Sequence, residues 1–257
     1  MTVYLVGAGP GSPDLLTLRA ARLLAAADIV VHERLVDSRI LEMAPTSATV
    51  IDAGKYPGGP SDAQAHINTV MVDAARRAAV VVRLKGGDPY GFGRGGEEAM
   101  ALRSAGVEVE AVPGVTSAIA GPAAAGIPGT MRGLSSGFTV VTGHQNPAGS
   151  NPLDWEALAR LGTTLVVLMG ASQVAEIADR LLTAGMAPAT PVATVESATS
   201  VEQRVLRTRL DELADLAEGT IRAPAVLVVG EVAGLDVADA EFGALVSEMA
   251  SETGGGR

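Results

Sequence analysis

The chain has 257 residues, 47% of them hydrophobic and 19% charged, which is enough apolar material for one or two domain cores and excludes an intrinsically disordered protein. A net charge of −10 argues against a nucleic-acid-binding protein, and three histidines without any cysteine argue against disulfides and metal sites. No apolar stretch reaches the roughly 20 residues that span a membrane, and the first residues do not resemble a signal peptide, so we expect a cytoplasmic protein without a membrane partner.

The first half of the sequence alternates short β-branched segments with helical patterns, which predicts an α/β domain with a parallel sheet. The predicted strands are 3–6, 28–31, 49–51 and 80–84. Between the third and fourth, Ser61 and Gln64 have the spacing of a capping box. A helix should follow, because apolar residues recur there at helical spacing: Ile67, Val70, Met71 and Ala74.

A stretch rich in glycine, proline and alanine at 113–130 suggests a domain boundary. After it, strand-like segments again alternate with helices, at 138–143, 164–170, 191–196 and 224–230. Apolar residues recur at helical spacing over 174–182, which predicts a helix with one apolar face. We therefore predict an N-terminal α/β domain (1–118), a C-terminal α/β domain (119–245) and a flexible tail (246–257).

The first candidate motif is GAGPGS at 7–12, which directly follows the first strand. Its glycines would let a ligand or a neighbouring backbone approach closely. The motif resembles a dinucleotide fingerprint, but Ser12 takes the place of the last glycine and Pro10 lies inside the turn. A flavin or nicotinamide oxidoreductase is therefore a weak alternative.

The second candidate motif is KGGDPYGFGRGGEE at 85–98, after the apolar fourth strand. Ligands of open α/β sheets bind at the carboxyl ends of the strands, where Gly86 and Gly87 expose backbone and Asp88 can accept hydrogen bonds. A tight glycine-rich turn is the structural alternative.

Three charged residues follow other strands of the same predicted sheet. Glu33 and Arg34 end the second strand and Lys55 follows the third, so all should lie at one edge. Taken singly, each is more typical of a solvated surface charge. His144 is more typical of a loop histidine than of a catalyst.

Together these segments resemble the S-adenosylmethionine-dependent tetrapyrrole methyltransferase family, and within it the uroporphyrinogen-III C-methyltransferases. The resemblance covers nearly the whole chain. The matching segments are GAGPGSPDLLT (7–17), ERLV (33–36), GK (54–55), RLKGGDPYGFGRGGEE (83–98), VPGVTSAIAGPAAAGIP (112–128), TGH (142–144), DWEALA (154–159), LMG (168–170) and TPVATVE with QRV (190–205).

The resemblance implies two α/β domains with a cofactor cleft between them, in a homodimer that binds a tetrapyrrole. It implies methylation of uroporphyrinogen III at C2 and C7, giving precorrin-2 and S-adenosyl-L-homocysteine. It also implies that Glu33 accepts a proton and that Lys55 donates one, and the candidates for binding the substrate carboxylates are Arg34, Arg94 and Arg132. The implied contacts to S-adenosyl-L-methionine are Pro10, Gly86, Gly87, Asp88, Gly91, Thr116, Ser117, Met169 and Ala198.

Three segments depart from the pattern of the family. Glu33 stands where aspartate is common, KYPGGPS replaces a basic segment, and Thr130, Met131 and Arg132 replace a more polar triplet. These departures bear on substrate contacts. A methyltransferase acting on another precorrin is the nearest alternative.

Overall fold

The computed structural model describes residues 1–54, 63–144, 152–216 and 219–237. The chain divides into two compact units, Met1–Thr116 and Ser117–Arg257. The boundary expected from the sequence falls after residue 118, and the expected tail, 246–257, lies outside the described residues.

The first unit contains a five-stranded sheet in which every neighbouring pair is parallel. Its strands, in the order β3-β2-β4-β1-β5, are β1 (Thr2–Gly7), β2 (Ile29–His32), β3 (Thr49–Asp52), β4 (Val80–Lys85) and β5 (Glu108–Val112). Its helices are α1 (Leu18–Ala25), α2 (Ser38–Leu41), α3 (Ala63–Arg77) and α4 (Gly95–Ser104), with a 3-10 helix at Pro13–Leu15. The four predicted strands are confirmed, whereas β5, an edge strand with two glutamates, was not predicted.

The side chains of a strand alternate between the two faces of its sheet, and helices cover both faces of this one. Val3 and Leu5 pack in one core cluster with residues of α3 and α4, and Val6 packs in another with residues of α1 and α2. The predicted helical face is confirmed, since Ile67 and Met71 of α3 are buried in the first of these clusters.

The second unit contains a mixed five-stranded sheet in the order β6-β7-β10-β8-β9. Only β6 and β7 are parallel, and the other neighbouring pairs are antiparallel. The strands are β6 (Phe138–Thr142), β7 (Thr164–Leu168), β8 (Pro191–Glu196), β9 (Arg204–Arg209) and β10 (Ala225–Val229). The helices are α5 (Ser117–Ala124), α6 (Trp155–Arg160), α7 (Val174–Thr183) and α8 (Leu210–Ala214), with 3-10 helices at Ala171–Gln173 and Glu231–Gly234.

The predicted α/β fold class is confirmed in both units. The apolar face of α7 is buried as expected, at Val174, Ile177, Ala178 and Leu181. Strand β9 was not predicted. It is an edge strand, and the exposed arginines of its sequence RVLRTR weaken the apolar pattern. Within the described ranges, no helix is both long and apolar enough to cross a membrane.

Candidate functional site

Three loops of the first unit meet backbone to backbone at glycines. A Cβ atom on Gly7 would lie 2.5 Å from Gly114 Cα, and one on Gly114 would lie 2.2 Å from the Gly87 carbonyl oxygen. Gly9 and Gly87 also exchange two backbone hydrogen bonds, of 3.2 and 2.7 Å. Side chains would prevent this packing, so the GAGPGS motif supports the neighbouring GGD loop, residues 86–88.

The segment after GAGPGS also differs from a dinucleotide-binding turn. Such a turn leads straight into a helix whose N-terminal amides face the pyrophosphate. Here the chain enters the short 3-10 helix Pro13–Leu15, and α1 begins only at Leu18. The geometry therefore does not favour the flavin or nicotinamide alternative.

Asp88 organises the loop that follows β4. Its Oδ1 accepts hydrogen bonds from the backbone N–H groups of Tyr90 (2.8 Å) and Gly91 (3.0 Å), and its Oδ2 accepts one from Gly114 (3.1 Å). The sequence predicts that this carboxylate accepts hydrogen bonds from a ligand. In the structure its oxygens hold the backbone of two neighbouring loops in place.

Glu33 lies at the carboxyl edge of the parallel sheet, as the sequence predicts. Its backbone N–H donates to the carbonyl of Leu84, so the register of β2 and β4 places its side chain beside Lys85. Lys85 Nζ donates to Glu33 Oε1 at 2.6 Å, and Gly86 N–H donates to Oε2 at 3.0 Å. With a side chain 30% exposed, Glu33 is neither a free surface charge nor a buried one.

Sequence reasoning missed the charged cluster beside Glu33, which consists of Arg83, Lys85 and Glu98. All three residues are buried. The sequence did contain a signal, because VVVRLK places two cations at i and i+2, on one face of an apolar strand. A buried charge requires a partner, and Glu98 of α4 supplies it.

The three predicted arginines differ in their surroundings. Arg34 and Arg132 are exposed. Arg94 forms two hydrogen bonds with Glu97, of 2.9 and 2.6 Å, and these raise the pKa of the guanidinium above its usual range. Arg94 also borders a surface cavity of about 440 Å³ lined by Tyr90, Phe92, Arg94, Gly95, Gly96 and Glu97.

The predicted cofactor residues lie in loops and at one helix start. Pro10 follows β1, Thr116 ends the first unit and Ser117 begins α5. Met169 follows β7 and Ala198 follows β8. Lys55, the predicted proton donor, lies outside the described residues, as does the rest of KYPGGPS.

Backbone strain is concentrated in three of these loops. Among the described non-glycine residues, those with positive φ are Phe92, Arg94, Met169, Ser197 and Thr199. They lie after β4, after β7 and on both sides of Ala198. Strained conformations of this kind persist where the surrounding structure imposes them, and they cluster at ligand sites.

Comparison with known proteins decides the family. The sequence model of the family described as "Tetrapyrrole (Corrin/Porphyrin) Methylases" matches residues 2–214. The chain belongs to the tetrapyrrole methylase family. It is 50% identical over 232 residues to the S-adenosyl-L-methionine-dependent uroporphyrinogen III methyltransferase of Methanosarcina barkeri, with 90% of this chain and 91% of that one covered. It is 51% identical over 231 residues to the uroporphyrinogen-III C-methyltransferase of Pseudomonas aeruginosa, covering 90% and 93%.

A solved structure shows the same likeness. The uroporphyrin-III C-methyl transferase of Thermus thermophilus, complexed with S-adenosylhomocysteine, matches at a TM-score of 0.80 and 42% identity, covering 93% of this chain and 99% of that one. These findings confirm the predicted family, the class of enzyme as a methyltransferase, and S-adenosylmethionine as its cofactor.

Proposed function

We propose that this methyltransferase converts uroporphyrinogen III to precorrin-2 by methylation at C2 and C7, in the biosynthesis of sirohaem or cobalamin. The names and high identities of its relatives support this substrate. The observation that carries the proposal is the position of Glu33, a partly exposed carboxylate held between Lys85 and the backbone of Gly86. This arrangement supports a role of Glu33 as proton acceptor, directly beside the loop expected to bind the cofactor.

The loops of the first unit are suited to binding S-adenosylmethionine. Among the residues that the structure describes, a Cβ atom on Gly86 would meet only Glu33 Oε2, at 3.8 Å, so these residues leave room for a ligand on that side. When bound, S-adenosylmethionine supplies a methyl group on a positively charged sulfur. In the second unit, Met169 presents a half-exposed apolar side chain from a left-handed backbone, which suits contact with an apolar part of a ligand. The proposed contacts remain Pro10, Gly86, Gly87, Asp88, Gly91, Thr116, Ser117, Met169 and Ala198.

We assign the removal of a substrate proton to Glu33. A carbon nucleophile that gains a methyl group must lose a proton, and a positioned carboxylate can accept it. The carboxylate is fixed through both oxygens but stays 30% exposed, so it is both oriented and accessible. Lys55 is proposed as the proton donor from the resemblance alone.

Arginines are the proposed partners of the substrate's carboxylates. A protein with a net charge of −10 needs local cations to bind a polyanion. Arg34 and Arg132 are exposed and can offer a guanidinium to a carboxylate. Arg94 borders the cavity beside Phe92, but it shares its guanidinium with Glu97.

The proposal is tested with purified protein, uroporphyrinogen III and S-adenosylmethionine carrying a labelled methyl group. Mass spectrometry of the product should show two added methyl groups and two equivalents of S-adenosylhomocysteine. Parallel reactions with later precorrins test the nearest alternative. Methylation of one of those, with none of uroporphyrinogen III, would refute the proposed substrate while leaving the enzyme class intact.

A homodimer and a cytoplasmic location are further proposals from the sequence. Light scattering on the purified protein should give twice the mass of the 25.9 kDa chain. Fractionation of the producing cells should recover the protein in the cytoplasmic fraction, and recovery with the membranes would contradict that location.

A further inference from the structure

Three charged side chains are buried beside Glu33. Arg83 and Lys85 on β4 and Glu98 on α4 are each 1% exposed or less. Removing charges from water is unfavourable even when they are paired, and apolar replacements of a buried ion pair are often equally stable or more stable. Stability alone therefore gives no reason to keep three charges inside this unit.

The buried charges form a connected chain that ends at Glu33. Glu98 Oε1 lies 3.1 Å from Arg83 Nη2 and 3.2 Å from Lys85 Nζ. Gln64 Nε2 also donates to this oxygen, at 3.3 Å. The shortest contact of Lys85 Nζ is the one to Glu33 Oε1, at 2.6 Å, and Arg83 Nη2 approaches the same oxygen at 3.4 Å. Among the described residues, Glu33 is thus the one partly exposed member of an otherwise buried ionic group.

We infer that Lys85, anchored by Glu98, is a positioning residue that fixes the orientation in which the Glu33 carboxylate meets the substrate. Lys85 is too deeply buried to contact the substrate itself. It holds Oε1 while the backbone of Gly86 holds Oε2, so the carboxylate cannot rotate freely. A base that is held in its reactive orientation needs less reorganisation to reach the transition state. The inference rests on the proposed function, because it requires Glu33 to take the substrate proton.

The test is a double-mutant cycle with Lys85→Met, Glu33→Gln and the two combined, measuring kcat, substrate KM and the Kd for S-adenosylhomocysteine. Lys85→Met should lower kcat by roughly 10- to 100-fold, since small misplacements of a catalytic group have effects of this size. KM and Kd should stay within about twofold. In the Glu33→Gln background, Lys85→Met should cause no further loss, because its effect passes through Glu33.

Two further variants sharpen the cycle. Lys85→Arg should restore part of kcat, since it returns a cation to the same place. Arg76→Met is the matched control, because Arg76 is an exposed cation of the same unit, 3.4 Å from Asp73, and its loss should leave kcat unchanged. If Lys85→Met does not fold, the pair Lys85→Met and Glu98→Gln removes one charge of each sign and should show the same loss of kcat.

The inference is overturned if Lys85→Met keeps the wild-type kcat, or if its loss multiplies with that of Glu33→Gln, which would show a general structural effect. Failure of the proposed function looks different. The wild-type enzyme would then add no methyl group to uroporphyrinogen III. If instead Glu33→Gln methylates at the wild-type rate, the assignment of Glu33 fails and the role of Lys85 falls with it.

Discussion

Two ion pairs at the ends of strands are built in opposite ways. Beside β4 the cations Arg83 and Lys85 are buried, and the carboxylate of Glu33 is partly exposed. At the end of β8 the carboxylate of Glu196 is buried, with a side chain 5% exposed, and its partner Arg204 is 48% exposed. The exposed member of a pair is the one that can act on a ligand, so only the first arrangement offers a base.

Each carboxylate accepts hydrogen bonds from a cation and from a backbone N–H, but the contacts of Glu196 extend further. Glu196 accepts hydrogen bonds from Arg204 and from the backbone N–H of Arg222, and Arg204 in turn donates to the carbonyl of Thr220. These contacts join neighbouring segments of the second unit. We therefore expect changes at Glu33 to affect catalysis and changes at Glu196 to affect stability.

The largest effect is expected for Glu33→Gln. The amide keeps the shape of the side chain but cannot accept the substrate proton, so kcat should fall by about 10²- to 10⁴-fold. Binding of S-adenosylhomocysteine, measured by calorimetry, should be retained. Glu33→Asp keeps the charge but is too short to preserve the 2.6 Å contact with Lys85, so its kcat should be intermediate. A near wild-type rate of Glu33→Gln would mean that Glu33 has a structural role, as is expected of Glu196.

Asp88→Ala should act on the loop that neighbours Glu33. It removes the acceptor of three backbone N–H groups, one exposed and two part-buried, and a hydrogen bond to a charged group contributes about 1.5–3 kcal/mol. The affinity for S-adenosylhomocysteine should fall at least about tenfold, measured by the ligand-induced rise in melting temperature. Asp73→Ala, which removes an exposed carboxylate of the same unit, is the control. An unchanged thermal shift in the Asp88 variant would separate this loop from the cofactor site.

The exposed arginines should affect substrate binding and not the chemical step. Loss of one charge-assisted hydrogen bond corresponds to roughly 1.5–3 kcal/mol, so Arg34→Ala and Arg132→Ala should each raise KM by about tenfold or more. Arg94→Ala should have a smaller effect, because Glu97 already occupies its guanidinium. Steady-state kinetics at two salt concentrations measures this, and wild-type KM values in all three variants would make these residues ordinary surface charges.

The smallest effect is expected for Glu196→Gln. Burial raises the pKa of Glu196, but the hydrogen bonds from Arg204 and the Arg222 backbone outweigh it and hold the pKa below its ordinary value of 4.5. A lowered pKa stabilises the folded state above about pH 4.5, and this contribution is lost as the pH falls further. At neutral pH the variant should lose about 1 kcal/mol, or roughly 2–4 °C in Tm.

Thermal melting at several pH values checks this prediction. The difference in Tm between the wild type and Glu196→Gln should shrink as the pH falls below 4.5, because the wild-type carboxylate then becomes protonated and is uncharged, like the amide. A difference that is constant with pH would mean that the charge of Glu196 contributes nothing.

The sequence by itself determined most of the secondary structure and the position of Glu33. Apolar periodicity records which face of an element is buried, so β1, β4, α3 and α7 were predictable. The end of a parallel strand is also visible in the sequence, which predicted Glu33 at the carboxyl edge of the sheet. Edge strands β5 and β9 were not predictable, because their exposed charged residues weaken the apolar signal.

Only the tertiary structure decided what Glu33 and Asp88 touch. Lys85 is 52 residues from Glu33 in the sequence, and Gly114 is 26 residues from Asp88. The pattern along one element shows that a side chain is buried, but it does not show which other element it meets. That depends on strand order and register, which bring β2 beside β4, and on the glycine packing that allows the two loops to touch. The cation that holds Glu33 was therefore visible in the sequence only as a charge in an apolar strand, and its partner became known through the fold.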